Sequence, residues 1–177
     1  LRKLHLSLAS DQKKLDQWEK QRSRLQRLVS SVEESSREFI LHDDYVSMLS
    51  RKGKLNWPVS GRLDKRFGNI RSGSLQWEGW LLGIEAGTPV STVHQGRVVF
   101  SNYLRGFGLL IIVDHGDSYM SLYAHNQELL KDTGDWVDTG EILAHSGDSG
   151  GLNKPALYFE IRQNGKPRNP KQWLKSN

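Results

Sequence analysis

The chain has no cysteine among its 177 residues. That excludes disulfides and thiolate metal sites, but it does not fix a compartment. It also lacks an apolar run of membrane-spanning length, since Leu109–Val113 is only as long as a strand. Glycine and proline are missing from the first 39 residues, so nothing there interrupts a helix. No glycine-rich phosphate loop precedes a helix, and there is no Ser/His/Asp arrangement. His94, His115, His125 and His145 are scattered, with neither His-x-His nor His-Glu-x-x-His spacing. The chain begins at Leu1 with no Met and no apolar leader, as expected of a piece of a longer protein.

What is present begins with charge. Twenty-five Lys and Arg against 20 Asp and Glu give a formal net charge of +5, which favours anionic surroundings. No nucleic-acid-binding pattern accompanies it, so no nucleic acid is expected as a partner. The basic cluster Lys20–Arg27 reads as a solvated helix face.

Residues 1–39 follow a seven-residue period. Leu1, Leu8, Leu15, Arg22, Val29 and Ser36 fall at one seam position, and Leu4, Asp11, Trp18, Leu25, Val32 and Phe39 at the other. Nine of these twelve are apolar, which predicts a long helix, either the C-terminal part of a coiled coil or one helix packed on a domain. Residues 40–55 read as a linker carrying one short amphipathic helix: Ile40, Leu41, Tyr45, Val46, Met48 and Leu49 are apolar, Asp43-Asp44 suits its start, and Gly53 its stop.

From residue 56 the pattern changes. Most of the 17 glycines lie here, and the apolar runs are short. Strands are predicted at 89–93, 97–102, 108–114, 118–125, 141–145 and 156–162, with a tight arch over 134–140. The last strand alternates, with Leu157, Phe159 and Ile161 on one face and Ala156, Tyr158, Glu160 and Arg162 on the other, before an Asn164-Gly165 turn. Residues 56–177 therefore form a mainly β domain of their own.

Several blocks in this region resemble, in order and spacing, the LytM (lysostaphin-type) zinc endopeptidases of bacterial cell-wall metabolism. Gly87-Thr88-Pro89-Val90 is similar to the family's GTPV entry and Gly96–Val99 to the strand after it. Gly106-Phe107-Gly108 and His115-Gly116 fit its next hairpin. Leu122-Tyr123-Ala124-His125 matches its YAH block, Gly147–Gly150 its GxTG, and Arg168-Asn169-Pro170 its final turn. The resemblance implies the family's antiparallel β fold, built on a duplicated hybrid motif. It also implies where a zinc site would stand. The His-x-x-x-Asp positions fall on Trp77 and Leu81, and the His-x-His positions on Ala156 and Tyr158; only His125 keeps a family histidine. Three protein ligands and an open water position are needed for such catalysis, and these side chains do not supply them. No metal, cofactor or catalytic residue is therefore expected.

A degenerate LytM domain behind a coiled coil resembles the murein hydrolase activators. That implies a non-catalytic periplasmic protein at the division septum, close to peptidoglycan, which stimulates zinc N-acetylmuramoyl-L-alanine amidases. The amidase's regulatory helix would dock in the groove left by the lost zinc site. An FtsEX-type division complex would act through the coiled coil. The expected groove residues are Leu81, Leu110, Tyr123 and Tyr158, which bury apolar area at about 25 cal/mol per Å2, with Glu78 and Arg162 as charged rim. A self-inhibitory helix made by Tyr45, Val46, Met48 and Leu49 is expected to occupy it. The alternatives are a LytM-type zinc endopeptidase with unusual ligands, and a non-catalytic wall-binding module stacking glycan on Trp80, Trp136 and Tyr119.

Overall fold

The computed structural model describes residues 2–36 and 44–177. Helix α1 (Arg2–Ser35) runs unbroken through the seven-residue pattern, as a stretch without glycine or proline allows. Among the described residues after it are twelve antiparallel strands: β1 (Arg62–Lys65), β2 (Ile70–Ser72), β3 (Leu75–Gln76), β4 (Trp80–Gly83), β5 (Pro89–Ser91), β6 (Gly96–Leu104), β7 (Gly108–Asp114), β8 (Tyr119–Leu129), β9 (Trp136–Val137), β10 (Ile142–Ser146), β11 (Ala156–Gln163) and β12 (Lys166–Arg168). The main sheet runs β1-β4-β11-β8-β7-β6-β9; β10 pairs with β5 and β8, β12 extends β11, and β2 and β3 make a small separate ribbon. The predicted mainly β architecture behind a long helix is therefore the one found. The short strands β1 to β4 escaped prediction because two to four residues between glycines carry too little alternation to read.

Central strands β4, β11, β8 and β7 bury side chains on both faces, and the alternation assigns each residue to a layer. Leu157, Phe159 and Ile161 join Ile111, Val113 and Tyr123 in one core. Tyr158 joins Leu110, Ile112, Met120, Leu122 and Ala124 in a second, and it is this second layer that Leu25, Val29 and Val32 of α1 complete. The helix seam thus divides. Its C-terminal half packs on the domain, whereas Leu4 and Leu8 are 61% and 58% exposed. Leu1 and Phe39 lie outside the described residues.

The short helix predicted within residues 40–55 is not formed as an α-helix in the described residues. Only a 3-10 turn, Met48–Arg51, occurs; residues 40, 41 and 43 lie outside the described ones. Met48 is fully buried in the first core beside Leu55 and Trp173, on the face opposite the helix. Three bonds fasten the residues ahead of it. The Tyr45 and Ser47 hydroxyls both donate to Asp117 at 3.0 Å, and His94 Nε2 donates to the Val46 carbonyl at 2.7 Å. Burial, with Asp117 beside it, pushes the Tyr45 phenol up to about 12.

His115 is a core residue. Its Nδ1 donates to the Gln95 carbonyl at 2.8 Å, and its Nε2 is bonded to Ser121 Oγ at 2.7 Å. Desolvation lowers its pKa to about 3, so the folded state holds it neutral. A histidine depressed in this way binds fewer protons folded than unfolded, so stability falls as pH drops below the unfolded value near 6.5 and levels off only near 3. His125, lowered to about 4 by burial, acts in the same sense, while Glu78 and Asp114, raised by burial, act oppositely. The prediction is therefore comparative. His115→Asn should lower the urea midpoint at pH 7.5, yet lose roughly 2 kcal/mol less than the parent between pH 7.5 and 5. Parallel losses in both proteins would place the titration elsewhere.

Candidate functional site

Register across three strands builds the site. Leu81 of β4 stands opposite Tyr158 of β11, which stands opposite Ala124 of β8. Leu81 and Trp77 are partly buried against the second core. Gly79 lets the 77–79 segment lie on β11, because a Cβ there would meet the Phe159 carbonyl oxygen at 2.3 Å. Between Leu109↔Asn126 and Ile111↔Tyr123, two residues of β8 face one of β7. His125 occupies that bulge at φ 67°, with its Nδ1 donating to the Ser149 carbonyl at 2.7 Å. The bulge brings its ring 6.4 Å from that of Tyr158 and 6.5 Å from that of Phe107. Trp77 lies 6.0 Å from Tyr158 on the other side.

The structure thus gathers four of the five positions implied for a zinc site, Trp77, Leu81, His125 and Tyr158, around one hollow, with Ala156 buried farther along β11 opposite Gly83. The donor set does not fit the metal. Indole, isobutyl and methyl groups offer no lone pair, and burial beside Glu160 holds the Tyr158 phenol well above its usual value and so protonated.

A buried polar chain fills the hollow instead. Tyr158 Oη donates to Glu160 Oε1 at 2.5 Å, and Arg162 Nε donates to Glu160 Oε2 at 2.6 Å. Arg162 Nη2 faces Glu78 Oε2 at 3.5 Å, and Nη1 donates to the Gly165 carbonyl at 3.0 Å. Glu160 is fully buried and Arg162 only 1% exposed. Burial works against the Arg162 charge, but Glu160 and Glu78 outweigh it. Arg71 enters from β2, with its guanidinium carbon 4.2 Å from the Trp77 ring centre and 4.9 Å from that of Trp18. Fixed guanidinium groups supply the positive charge opposite these carboxylates.

α1 closes the groove. Arg22 Nε pairs with Glu78 Oε1 at 2.7 Å, and Gln26 Oε1 accepts from Arg162 Nη1 at 2.7 Å. Leu25, Val29 and Val32 are buried on the apolar wall. Arg24 donates to the Arg105 carbonyl at 3.0 Å, and Gly106 gives the helix its close approach, since a Cβ there would sit 2.5 Å from Gln21 Cγ.

Of the predicted groove residues, Glu78, Leu81, Leu110, Tyr158 and Arg162 come together. Tyr123 does not: strand parity turns its ring into the first core against Phe159 at 5.4 Å, and its hydroxyl accepts from Val93 N–H at 3.0 Å. Ala124 takes the groove side. Arg162 belongs to the floor rather than the rim. In the described structure Met48 lies in the first core, Tyr45 is held by Asp117 and Val46 by His94, and the residues that cover the hollow come from α1. Sequence reasoning missed Phe107, Arg71 and Glu160. For Glu160 the signal was available, as Tyr158, Glu160 and Arg162 alternate onto one face. Nor do Trp80, Trp136 and Tyr119 form a glycan platform, because Trp80 and Tyr119 are buried.

Comparison with known proteins gives one consistent family. Residues 75–170 match the profile described as "Peptidase family M23". The murein hydrolase activator EnvC of Escherichia coli K12 is 42% identical over 135 residues, covering 72% of this chain and 32% of the relative. A Pseudomonas aeruginosa "Lipoprotein NlpD/LppB homolog" is 41% identical over 119 residues, covering 67% and 39%. The chain thus spans about a third of the length of the curated relatives it matches. The crystal structure of a putative peptidase M23 from Pseudomonas aeruginosa shares the fold, with TM-score 0.65 and 22% identity over 86% of this chain and 63% of that one.

The Glu160–Arg162 pair is testable by stability alone. Arg162→Ala strands a buried carboxylate and should cost about 3–5 kcal/mol in urea unfolding. Adding Glu160→Ala should restore part of that loss. A double variant as unstable as the sum of the two singles would show that the groups are not coupled.

Proposed function

The chain belongs to peptidase family M23, and from that premise we propose that it is a non-catalytic activator of periplasmic zinc N-acetylmuramoyl-L-alanine amidases. The observation that carries this reading is the seat of α1. The face on which the family's metal ligands would stand bears Trp77, Leu81 and Tyr158, and it receives an amphipathic helix. A groove that accepts one helix in cis is suited to accept another in trans. The names of the relatives support the reading, one a murein hydrolase activator and another a lipoprotein homologous to NlpD/LppB. They also support a place in the cell envelope; within it, the periplasm at the division septum is the working site this reading assigns.

In this reading α1 is the self-inhibitory element, replacing the 45–49 segment in that role. Burying Leu25, Val29 and Val32 stabilises docking by about 1.5–3 kcal/mol each before the cost of ordering the helix. A tethered segment competes at high effective concentration, so modest affinity is enough to close the groove. The exposed residues Leu4, Leu6 and Leu8 leave the far half of α1 available for a coiled coil. A partner that grips that half, such as an FtsEX-type division complex, needs to supply only a few kcal/mol to shift the equilibrium. No donor set in the hollow favours the zinc endopeptidase reading.

The test is amidase stimulation in a dye-release assay on peptidoglycan. Val29→Asp or Leu25→Asp should raise stimulation severalfold over the parent by unseating α1, while each purified protein alone, with zinc supplied, releases no dye. Stimulation unchanged by both substitutions would remove α1 as the inhibitory element, and dye release by the chain alone would overturn the non-catalytic assignment.

A further inference from the structure

The contacts that seat α1 also specify what can replace it. Glu78 is one-fifth exposed, and desolvation followed by the neighbouring Glu160 raises its pKa, so as a carboxylate it calls for a cation. α1 meets that demand with Arg22 at 2.7 Å. One turn farther along, Arg162 Nη1 calls for an acceptor, which Gln26 provides at 2.7 Å while its own Nε2 donates to the Gly165 carbonyl at 3.3 Å. Between and beyond these polar contacts the wall is apolar and buries Leu25, Val29 and Val32, with Leu28 packed at its edge. Residues 22, 25, 26, 29 and 32 lie on one helical face, so five demands are met by a single amphipathic stripe. Leaving any polar demand unmet on docking costs the desolvation of that group.

This step rests on the reading that the groove receives a partner's helix. We propose that the admitted partner is an amphipathic helix carrying Arg or Lys against Glu78, an acceptor such as Gln or Glu four residues later against Arg162, and aliphatic residues on the same stripe, with Glu78 as the residue that selects it. The wall alone admits any aliphatic helix of suitable length. Glu78 makes the choice directional, because a helix with an acid at the first position places two carboxylates together in a partly desolvated site. The order of the two polar positions also fixes the direction in which the helix lies.

The experiment is a charge exchange. A fluorescent peptide copying residues 15–35, and its Arg22→Glu form, are titrated by anisotropy onto the chain carrying Val29→Asp, which frees the groove. The native peptide should bind at least about tenfold more tightly than the Arg22→Glu peptide. On the chain carrying Val29→Asp and Glu78→Arg the order should reverse. If Glu78→Arg does not fold, Glu78→Gln serves, and the discrimination should then collapse to within about twofold. Equal binding of the two peptides to the Glu78 chain, or the same preference on both chains, overturns the inference. So does a parent chain that sediments as a dimer with exchanged α1 helices, which would assign the groove to a second copy. Amidase stimulation is measured alongside. Reversal without stimulation keeps the selectivity of the groove and removes the amidase reading; stimulation without reversal does the opposite.

Discussion

Glu160 sits in the central strand β11 with no solvent-exposed surface, and a buried carboxylate is tolerated only when its charge is answered nearby. Tyr158 and Arg162, two residues to either side on the same face, answer it directly. Arg162 then brings a charge that needs its own partners, and these are Glu78 from the segment before β4 and Gln26 from α1. Glu78 in turn is balanced by Arg22. One buried acid thus sets up a chain of obligations that starts in the middle of the sheet and ends on the helix. This is why the helix docks in one register rather than sliding along an apolar wall.

The same chain accounts for the chemistry found where the family resemblance implies a metal site. A divalent ion concentrates charge at one point and demands lone pairs around it. Here the positive charge is spread over the guanidinium groups of Arg71 and Arg162, which need carboxylates and aromatic faces instead. Trp77 and Tyr158 fit those needs, and at the same time they extend the apolar surface available to a helix. Aromatic and guanidinium groups thus form one coherent set of partners on the backbone frame of β4, β8 and β11.

Much of the domain could be read from the sequence because its longer strands alternate clearly. The strand predicted at 108–114 is β7 to the residue, and the two faces of 156–162 were assigned to the layers in which they are found. Tyr123 was misplaced because the histidine after it sits in a bulge. A bulge shifts parity by one position, and His125 at positive φ gives no sequence signal of it. The segment expected to cover the groove lies elsewhere for a different reason. Tyr45, Val46, Met48 and Leu49 have the composition of a docking helix, but Met48 is drawn into the opposite core while Asp117 and His94 hold its neighbours. Amphipathicity shows that a segment will dock, not on which face.

By itself the sequence determined the periodicities: a helix over the glycine-free stretch, a β domain after it, and the order of blocks that identifies the fold. These are local properties, fixed by neighbours a few residues apart along the chain. Only the tertiary structure decided that the seam of α1 would close on the hollow instead of on a second helix, and that Glu78, Arg162, Arg22 and Gln26 would meet there. Those outcomes depend on side chains far apart in the chain, Gln26 and Arg162 by 136 positions, satisfying one another's polar demands, and no local pattern records such a balance.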